Sequence, residues 1–236
     1  MIELEEGTGR TRPGRLTLSV FDLDRTLSTR PTYTAFLLFG AWRLAPLRLL
    51  LLPALPFVLL AYAVRLIDRR RCKELEHHLL LGGAVPLAAA ERIAAQFSRY
   101  VTSNWISAAA RTQLEAERAA GNLIVIASAA NSIYCNPLGQ MLGADHVVAT
   151  QSSCSEDHLR PTIIGANCYG RAKRDLLQGF VARQGWTRSD LHVRFFSDHM
   201  SDWPTFVWAD EAFVVNPSSA FERAAERQGW SILCWR

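Results

Sequence analysis

The stretch LTLSVFDLDRTL, residues 16–27, decides how the rest of the chain is interpreted. Its first half is a short apolar run rich in strand-forming residues, and its second half is polar. This pattern predicts a buried strand that ends in a functional loop. Asp22 and Asp24 stand two residues apart in that loop, so their carboxylates leave the strand end on the same side.

Further apolar runs follow this first strand and alternate with helical patterns. The runs are NLIVIASAA (122–130), HVVAT (146–150), HVRFF (192–196), AFVVN (212–216) and SILCW (231–235). Residues 151–170 are rich in turn residues and fit either a hairpin or a loop. Strands that alternate with helices predict an α/β fold with a doubly wound, Rossmann-like parallel sheet.

The helical patterns between residues 30 and 115 are too long for one crossover helix. They predict a helical apolar cap at 31–104, inserted after the first strand into a catalytic core formed by 16–30 and 105–236. The first 15 residues are polar and rich in turn residues, so 1–15 is predicted to be a flexible tail.

Composition restricts the class of protein. The chain has 236 residues, of which 49% are hydrophobic and 20% charged, which excludes collagen-like and wholly disordered chains. The five cysteines are odd in number and show no CxxC spacing, so a disulfide framework or a zinc site is not expected. A reducing cytoplasm fits this cysteine usage.

The most apolar stretch is LLLLPALPFVLLAYAV, residues 49–64, which lies between Arg48 and Arg65. Three interpretations stay open: a buried helical hairpin, an element at a membrane surface, and a transmembrane span. A span needs about 20 apolar residues, and the prolines at 46, 53 and 56 would kink or break a helix. The window 41–73 holds seven basic residues and one acid, which favours an anionic membrane surface as partner. Nucleic acid is not expected as a partner.

Polar residues stand at four places beyond the predicted strands, where α/β sheets build their sites. Asp22 could attack phosphorus while Asp24 protonates the leaving oxygen. Ser128 and nearby backbone N–H groups could hold phosphate oxygens. Lys173 could neutralise a phosphoryl group, and Asp198 could supply an oxygen ligand to Mg²⁺. Each feature alone also fits a turn, a helix cap or a solvated side chain, but their order and placement together are not expected by coincidence.

These motifs resemble those of the haloacid dehalogenase superfamily. FDLDRTL (21–27) is similar to its first motif, Ser128 to its second, Lys173 to its third and SDHMSD (197–202) to its fourth. The insertion resembles the helical cap of the phosphoserine phosphatase-like branch. The chain departs from the usual motifs in having Arg25 where glycine is frequent and Ser128-Ala129-Ala130 in the second motif.

The resemblance implies a role for each motif residue. Asp22 would be the nucleophile that forms an aspartyl-phosphate, and Asp24 the general acid and then base. Ser128 and Lys173 would bind the substrate phosphate, and Thr26 would support the phosphate-binding loop.

The same resemblance implies a cofactor, Mg²⁺. Asp22, the backbone carbonyl of Asp24, and Asp198 would hold the metal. Asp202 would assist, or orient Lys173.

The substrate class stays open at this stage. The leucine- and proline-rich cap resembles that of C-type phosphatidylglycerophosphatase, which implies a lipid phosphomonoester at the inner face of the membrane. A phosphatase for a soluble metabolite such as phosphoserine would instead need cap groups for a carboxylate and an ammonium, with Glu74, Glu76 and Arg70 as candidates. A third hypothesis is a non-catalytic, membrane-associated regulatory protein that retains the fold.

Overall fold

An eight-stranded sheet forms the centre of the computed structural model, which describes residues 14–235. The predicted tail at 1–15 lies outside the described residues except for its last two. The strands are β1 (Leu16–Phe21), β2 (Val85–Pro86), β3 (Leu123–Asn131), β4 (His146–Ser155), β5 (His158–Ile164), β6 (Leu191–Ser197), β7 (Glu211–Val215) and β8 (Ser231–Leu233). Their order across the sheet is β2-β5-β4-β3-β1-β6-β7-β8.

Helices cover both faces of this sheet. The α-helices are α1 (Tyr33–Leu44), α2 (Leu55–Ala63), α3 (Arg69–Leu81), α4 (Leu87–Asn104), α5 (Ala108–Ala119), α6 (Ser132–Met141), α7 (Arg171–Arg183), α8 (Trp203–Trp208) and α9 (Ser219–Gln228). A 3₁₀ helix spans Pro46–Ala54 and runs directly into α2. The segment between β1 and β3 carries α1 to α5, so the predicted helical insertion after the first strand is present.

The alternation of side chains along the central strands explains the two apolar layers. On β1, Leu18 and Val20 pack with α7, α8 and α9, whereas Phe21 packs on the opposite face with α1, α4 and α6. On β3, Val125 and Ile126 divide between the same two layers. Strands buried on both faces are typical of parallel sheets covered by helices, which confirms the predicted α/β fold class.

The sheet is mixed at one edge, where the prediction of a parallel sheet was incomplete. Strand β4 continues beyond the predicted 146–150, and its second half pairs antiparallel with β5. Glu156 and Asp157 form the turn with φ of 52° and 55°, the left-handed conformation that two-residue hairpins favour. Residues 151–164 are therefore a hairpin, and β2 extends it antiparallel from within the predicted cap range.

The apolar segment Pro46–Ala63 lies at the surface of the structure, which does not match the buried hairpin among the three interpretations left open. None of its residues is buried, and the exposed fraction reaches 81% at Leu47, 77% at Leu50 and 72% at Phe57. The prolines do not end the helical run, because Pro53 lies within the 3₁₀ helix and Pro56 in the first turn of α2. By length and hydropathy this run passes as one candidate membrane span.

Some of the basic residues in the window 41–73 form contacts within the protein. Arg48 donates to the carbonyls of His78 and Leu79 near the end of α3, at 2.8 and 3.0 Å. Arg70 pairs with Glu74 and donates to the carbonyls of residues 163 and 165, and Arg71 also pairs with Glu74. These contacts stabilise the cap, and they leave fewer arginines available for an external partner.

Candidate active site

The loop after β1 is anchored by apolar residues that leave its carboxylates at the cavity. The backbone N–H of Asp22 donates to the carbonyl of Phe196 at 2.8 Å, which fixes the loop to β6. Leu23 and Leu27 are fully buried. Because neighbouring side chains alternate in direction, burying Leu23 leaves Asp22 and Asp24 on the side away from that core.

Asp24 is held by a residue at the start of the cap. The backbone N–H and the hydroxyl of Thr32 both donate to Asp24 Oδ1, at 2.8 and 2.7 Å. The Thr32 hydroxyl also lies 2.9 Å from the Tyr134 hydroxyl. One oxygen of Asp24 is thus fixed, and the carboxyl group has a defined orientation beside the cavity.

Lys173 lies between two carboxylates. Its Nζ is 2.6 Å from Asp22 Oδ1 and 2.5 Å from Asp202 Oδ2, and all three side chains are buried. The Ser197 hydroxyl donates to the same Asp202 oxygen at 2.8 Å. Of the two predicted roles for Asp202, this geometry matches the orientation of Lys173.

Thr26 connects the first and fourth motifs. Its hydroxyl accepts from the backbone N–H of Asp198 at 3.0 Å. The same oxygen lies 3.4 Å from Asp22 Oδ2 and 3.4 Å from Asp198 Oδ1. The two predicted metal-ligating carboxylates therefore approach each other around one threonine hydroxyl.

Ser128 occupies an irregular part of β3 rather than its end. The pairing of β3 with β4 shifts register between Ser128 and Asn131, and the N–H of Ala130 donates to Ser128 Oγ at 3.1 Å. From α3, Lys73 donates to the carbonyl of Ala129 and, at 3.0 Å, to Asn167 Oδ1. A buried cap lysine thus holds the turn that follows Ser128.

The predicted residues converge on one cavity of about 270 Å³. Six of them line it: Asp22, Asp24, Ser128, Lys173, Asp198 and Asp202. Thr26 does not line it, but its hydroxyl lies 3.4 Å from Asp22 Oδ2. The structure therefore brings together every residue singled out from the four motifs.

Burial and neighbouring charges shift the pKa values of the carboxyl groups in the site. Burial raises the pKa of Asp22 to about 7, with Lys173 opposing and Asp202 and Asp198 adding to the shift. Burial and Asp202 raise the pKa of Asp198 to about 6. Burial also raises the pKa of Asp24, against its hydrogen bonds from Thr32. The site thus favours a further cation beside Asp22 and Asp198.

Sequence reasoning did not assign a site role to several residues that line the cavity. Arg69, in the first turn of α3, lies 3.9 Å from the ring of Tyr169, and both line the cavity with His199. Arg69 is far from the motifs in sequence, whereas His199 lies within SDHMSD and Tyr169 four residues before Lys173. Only the docking of α3 against the core brings Arg69 to the site.

The cap residues proposed for a soluble substrate lie elsewhere. Glu74 pairs with Arg70 and accepts from the N–H of residue 163, and Glu76 accepts from Thr34. Neither these residues nor Arg70 line the catalytic cavity. They stabilise the cap and its contact with β5.

The fold and the site together define a class: α/β enzymes that carry catalytic carboxylates at the ends of adjacent parallel strands. A family model described as haloacid dehalogenase-like hydrolase matches residues 19–206. The chain belongs to this family.

The chain is similar to two curated relatives. The chain is 25% identical over 227 residues to a Mycobacterium tuberculosis protein named a probable phosphatase, covering 95% of this chain and 77% of that protein. It is 31% identical over 124 residues to the inhibition of morphological differentiation protein of Streptomyces azureus, a match that spans 52% of this chain and 44% of that protein. The predicted class of enzyme, a phosphatase, is confirmed by the family and the Mycobacterium relative.

Solved structures share the fold. A Bordetella pertussis protein of unknown function superposes with a TM-score of 0.82 at 22% identity, covering 93% of this chain and 98% of that one. A phosphoserine phosphatase with an analogue of its phospho-aspartyl intermediate superposes with a TM-score of 0.62 at 15% identity, covering 94% of each chain. The resemblance of the cap to C-type phosphatidylglycerophosphatase stays a prediction.

Proposed function

We propose that this protein is a Mg²⁺-dependent phosphomonoester hydrolase that acts through an aspartyl-phosphate on Asp22. The observation that supports this most directly is the placement of Asp22 beside Lys173 and Asp24 in one cavity. A carboxylate, a buried cation and a second carboxyl group are the groups that such a reaction needs.

The reaction has two steps. An oxygen of Asp22 attacks phosphorus, the bond to the leaving oxygen breaks, and Asp24 gives that oxygen its proton. Asp24 then takes a proton from water, which attacks the phosphorus of the aspartyl-phosphate, releases inorganic phosphate and restores Asp22. Lys173 offsets the negative charge of the phosphoryl group throughout, and Asp202 keeps its ammonium in place.

The donor set fits Mg²⁺. Asp22 and Asp198 supply carboxylate oxygens on the two sides of Thr26. Burial raises the pKa of each, and neighbouring carboxylates add to the shift. The described residues hold no cluster of three acidic, His or Cys side chains of metal-binding geometry. The predicted ligands are two carboxylates and the backbone carbonyl of Asp24, and such a set does not require a cluster of three side chains. Bound there, Mg²⁺ would supply Lewis-acid stabilisation of the phosphoryl oxygens.

The exposed apolar segment supports a lipid phosphomonoester as the substrate, at the cytoplasmic face of a membrane. Many large apolar side chains of Pro46–Ala63 are exposed, although Leu49 and Leu52 pack against the core. A helical run that is apolar on every side belongs in a membrane or a buried core. Arg43 and Arg65 are exposed at its two ends and suit anionic headgroups. Phosphatidylglycerophosphate is the type of substrate that we propose.

A phosphate-release assay with Mg²⁺ tests this function. Its two arms are a lipid phosphomonoester in detergent micelles and soluble monoesters that include phosphoserine. We expect release in both arms and a preference for the lipid. A preference for phosphoserine would favour the soluble-metabolite alternative. Absence of release from every substrate, with bound Mg²⁺ demonstrated, would favour the non-catalytic alternative.

A further inference from the structure

A second cavity of about 570 Å³ adjoins the catalytic one. Both cavities are lined by Arg25, Asp198 and His199, so the larger one opens beside the phosphate site. Its other walls combine polar and aromatic side chains: Ser107, Asn216, Ser218, Phe221 and Trp235. Cavities of this volume hold ligands of a dozen or more atoms. Asp24, Ser128 and Lys173 do not line this one.

Arg25 stands at the boundary between the two cavities. It follows Asp24 directly, is exposed, and forms no hydrogen bond or ion pair with any residue from 14 to 235. Its φ is 63°, in the left-handed region that glycine adopts at lower cost. An arginine is thus held in a strained conformation at a position that needs no side chain for the chemistry of Asp22.

The charges around the second cavity define what Arg25 can bind. Among the described residues that line this cavity, Arg25 is the only arginine or lysine. Asp198 is the neighbouring carboxylate, and it attracts Arg25 electrostatically without a hydrogen bond or ion pair between the two side chains. Lys173 is already paired with Asp22 and Asp202. The guanidinium of Arg25 is therefore available to an anion that arrives with the substrate.

We infer that the second cavity takes the leaving group of the substrate, and that Arg25 binds an anionic group on it, either a carboxylate or a phosphodiester. A guanidinium presents a planar fork of donors that matches both anions. The inference rests on the proposed phosphomonoesterase function and narrows its substrates to monoesters with a second negative charge. A phosphodiester in a lipid headgroup and the carboxylate of a phosphorylated acid both satisfy it.

The test compares two matched pairs of substrates at saturating Mg²⁺. In the first pair, 3-phosphoglycerate differs from glycerol 3-phosphate by a carboxylate. In the second, glycerophosphoglycerol phosphate, a deacylated lipid headgroup, carries a phosphodiester that glycerol 3-phosphate lacks. For each pair we define a discrimination ratio, kcat/KM of the substrate with the second anionic group divided by kcat/KM of glycerol 3-phosphate.

In Arg25→Gly we expect a discrimination ratio to fall by about 10- to 100-fold, the effect of losing a hydrogen bond to a charged group. Glycine suits the positive φ, so the loop keeps its backbone. Arg30→Gly is the matched control, because Arg30 is exposed and lines neither cavity, and its ratios should not change. The pair whose ratio falls identifies the anion.

Unchanged ratios in Arg25→Gly, with wild-type hydrolysis of both members of each pair, would overturn the inference. No wild-type hydrolysis of any monoester would overturn the proposed function instead, so the two failures are distinguishable. Arg25→Asn serves as a second variant if the glycine variant does not fold, because Asn also tolerates the left-handed region.

Discussion

The Nζ atom of Lys173 lies 2.6 Å from Asp22 Oδ1, and both side chains are buried. The lysine comes from the first turn of α7, whereas the aspartate follows β1, so the pair joins two distant parts of the chain. A buried charge without a partner is strongly destabilising. The same contact that would orient the proposed nucleophile therefore also stabilises the fold.

Replacing Lys173 should test that double role. In Lys173→Met, Asp22 and Asp202 lose their common cation, and we expect the free energy of unfolding to fall by about 3–5 kcal/mol. Urea denaturation measures this loss. The double variant Lys173→Met/Asp202→Asn removes one of the uncompensated carboxylates and should recover part of it. Equal stability of wild type and Lys173→Met would contradict this account of the pair.

Asp22→Asn should lower phosphatase turnover to background, because an amide cannot form the aspartyl-phosphate. Asp24→Asn should cost about 10²- to 10⁴-fold, the usual effect of removing an acid–base group. Asp175→Asn is the matched control on the exposed side of α7 and should retain activity. Circular dichroism should show that all three variants are folded. Substantial turnover by folded Asp22→Asn would remove Asp22 as the nucleophile.

Magnesium should both activate and stabilise the protein. Chelation with EDTA should abolish activity, and Mg²⁺ should restore it, with Ca²⁺ a poor substitute because its coordination shell is larger and looser. Mg²⁺ should also raise the Tm of the wild type by mass action. In Asp198→Asn that rise should be lost or need far more Mg²⁺. If Mg²⁺ does not change the Tm of the wild type, that result would argue against the proposed site.

The sequence predicted those parts of the site that depend on local pattern. Asp22 and Asp24 follow a strand recognisable from its apolar run, and parallel strands place their carboxyl ends at one edge. Arg69 and Lys73 were not predicted as site residues, because their position depends on how α3 docks against Ala129 and Asn167. No local pattern encodes that docking.

The apolar segment is a second case in which the outcome depends on tertiary packing. Composition identified 49–64 as the most apolar stretch, but it did not distinguish burial against the protein from exposure. That outcome depends on whether neighbouring helices cover it, and in the structure they cover only the side that carries Leu49 and Leu52. Likewise, the turn residues at 151–170 left a hairpin and a loop open, because pairing with a strand edge is a tertiary event.

His77 should make the stability of the protein sensitive to acid. Its side chain is buried, both ring nitrogens lack hydrogen-bond partners, and burial lowers its pKa from 6.5 to about 4. Between pH 6.5 and 4 the unfolded chain therefore binds a proton at His77 that the folded chain does not bind. This contribution to stability is fully present above pH 6.5 and is lost as the pH falls towards 4, at up to about 1.4 kcal/mol per pH unit.

Urea unfolding of wild type and His77→Met at several pH values between 4 and 7.5 measures this effect. Methionine fits an apolar site and cannot titrate, so the difference in unfolding free energy between the two proteins should change across that window. His78→Met, at the exposed neighbouring position, should keep most of the wild-type pH dependence. Parallel pH profiles for wild type and His77→Met would show that His77 is not the group responsible.

The exposed apolar segment should bind anionic vesicles. Insertion of Leu50, Phe57 and their neighbours removes apolar surface from water, and each exposed arginine near the surface adds about 1 kcal/mol. Flotation with vesicles that contain phosphatidylglycerol should therefore recover the wild type, and vesicles of phosphatidylcholine should recover less. Salt should weaken the part due to Arg43 and Arg65 and leave the apolar part.

The double variant Leu50→Glu/Phe57→Glu should abolish flotation while keeping the fold, because both side chains are exposed. Val207→Glu is the matched control: its side chain is 63% exposed on α8, outside the segment, and flotation should persist. The alternative result is that the wild type does not bind vesicles but forms a dimer, and that the double variant is a monomer. In that case the segment is a contact between two copies of the chain. The lipid-substrate proposal would then lose its main structural support, while the hydrolase assignment would stand.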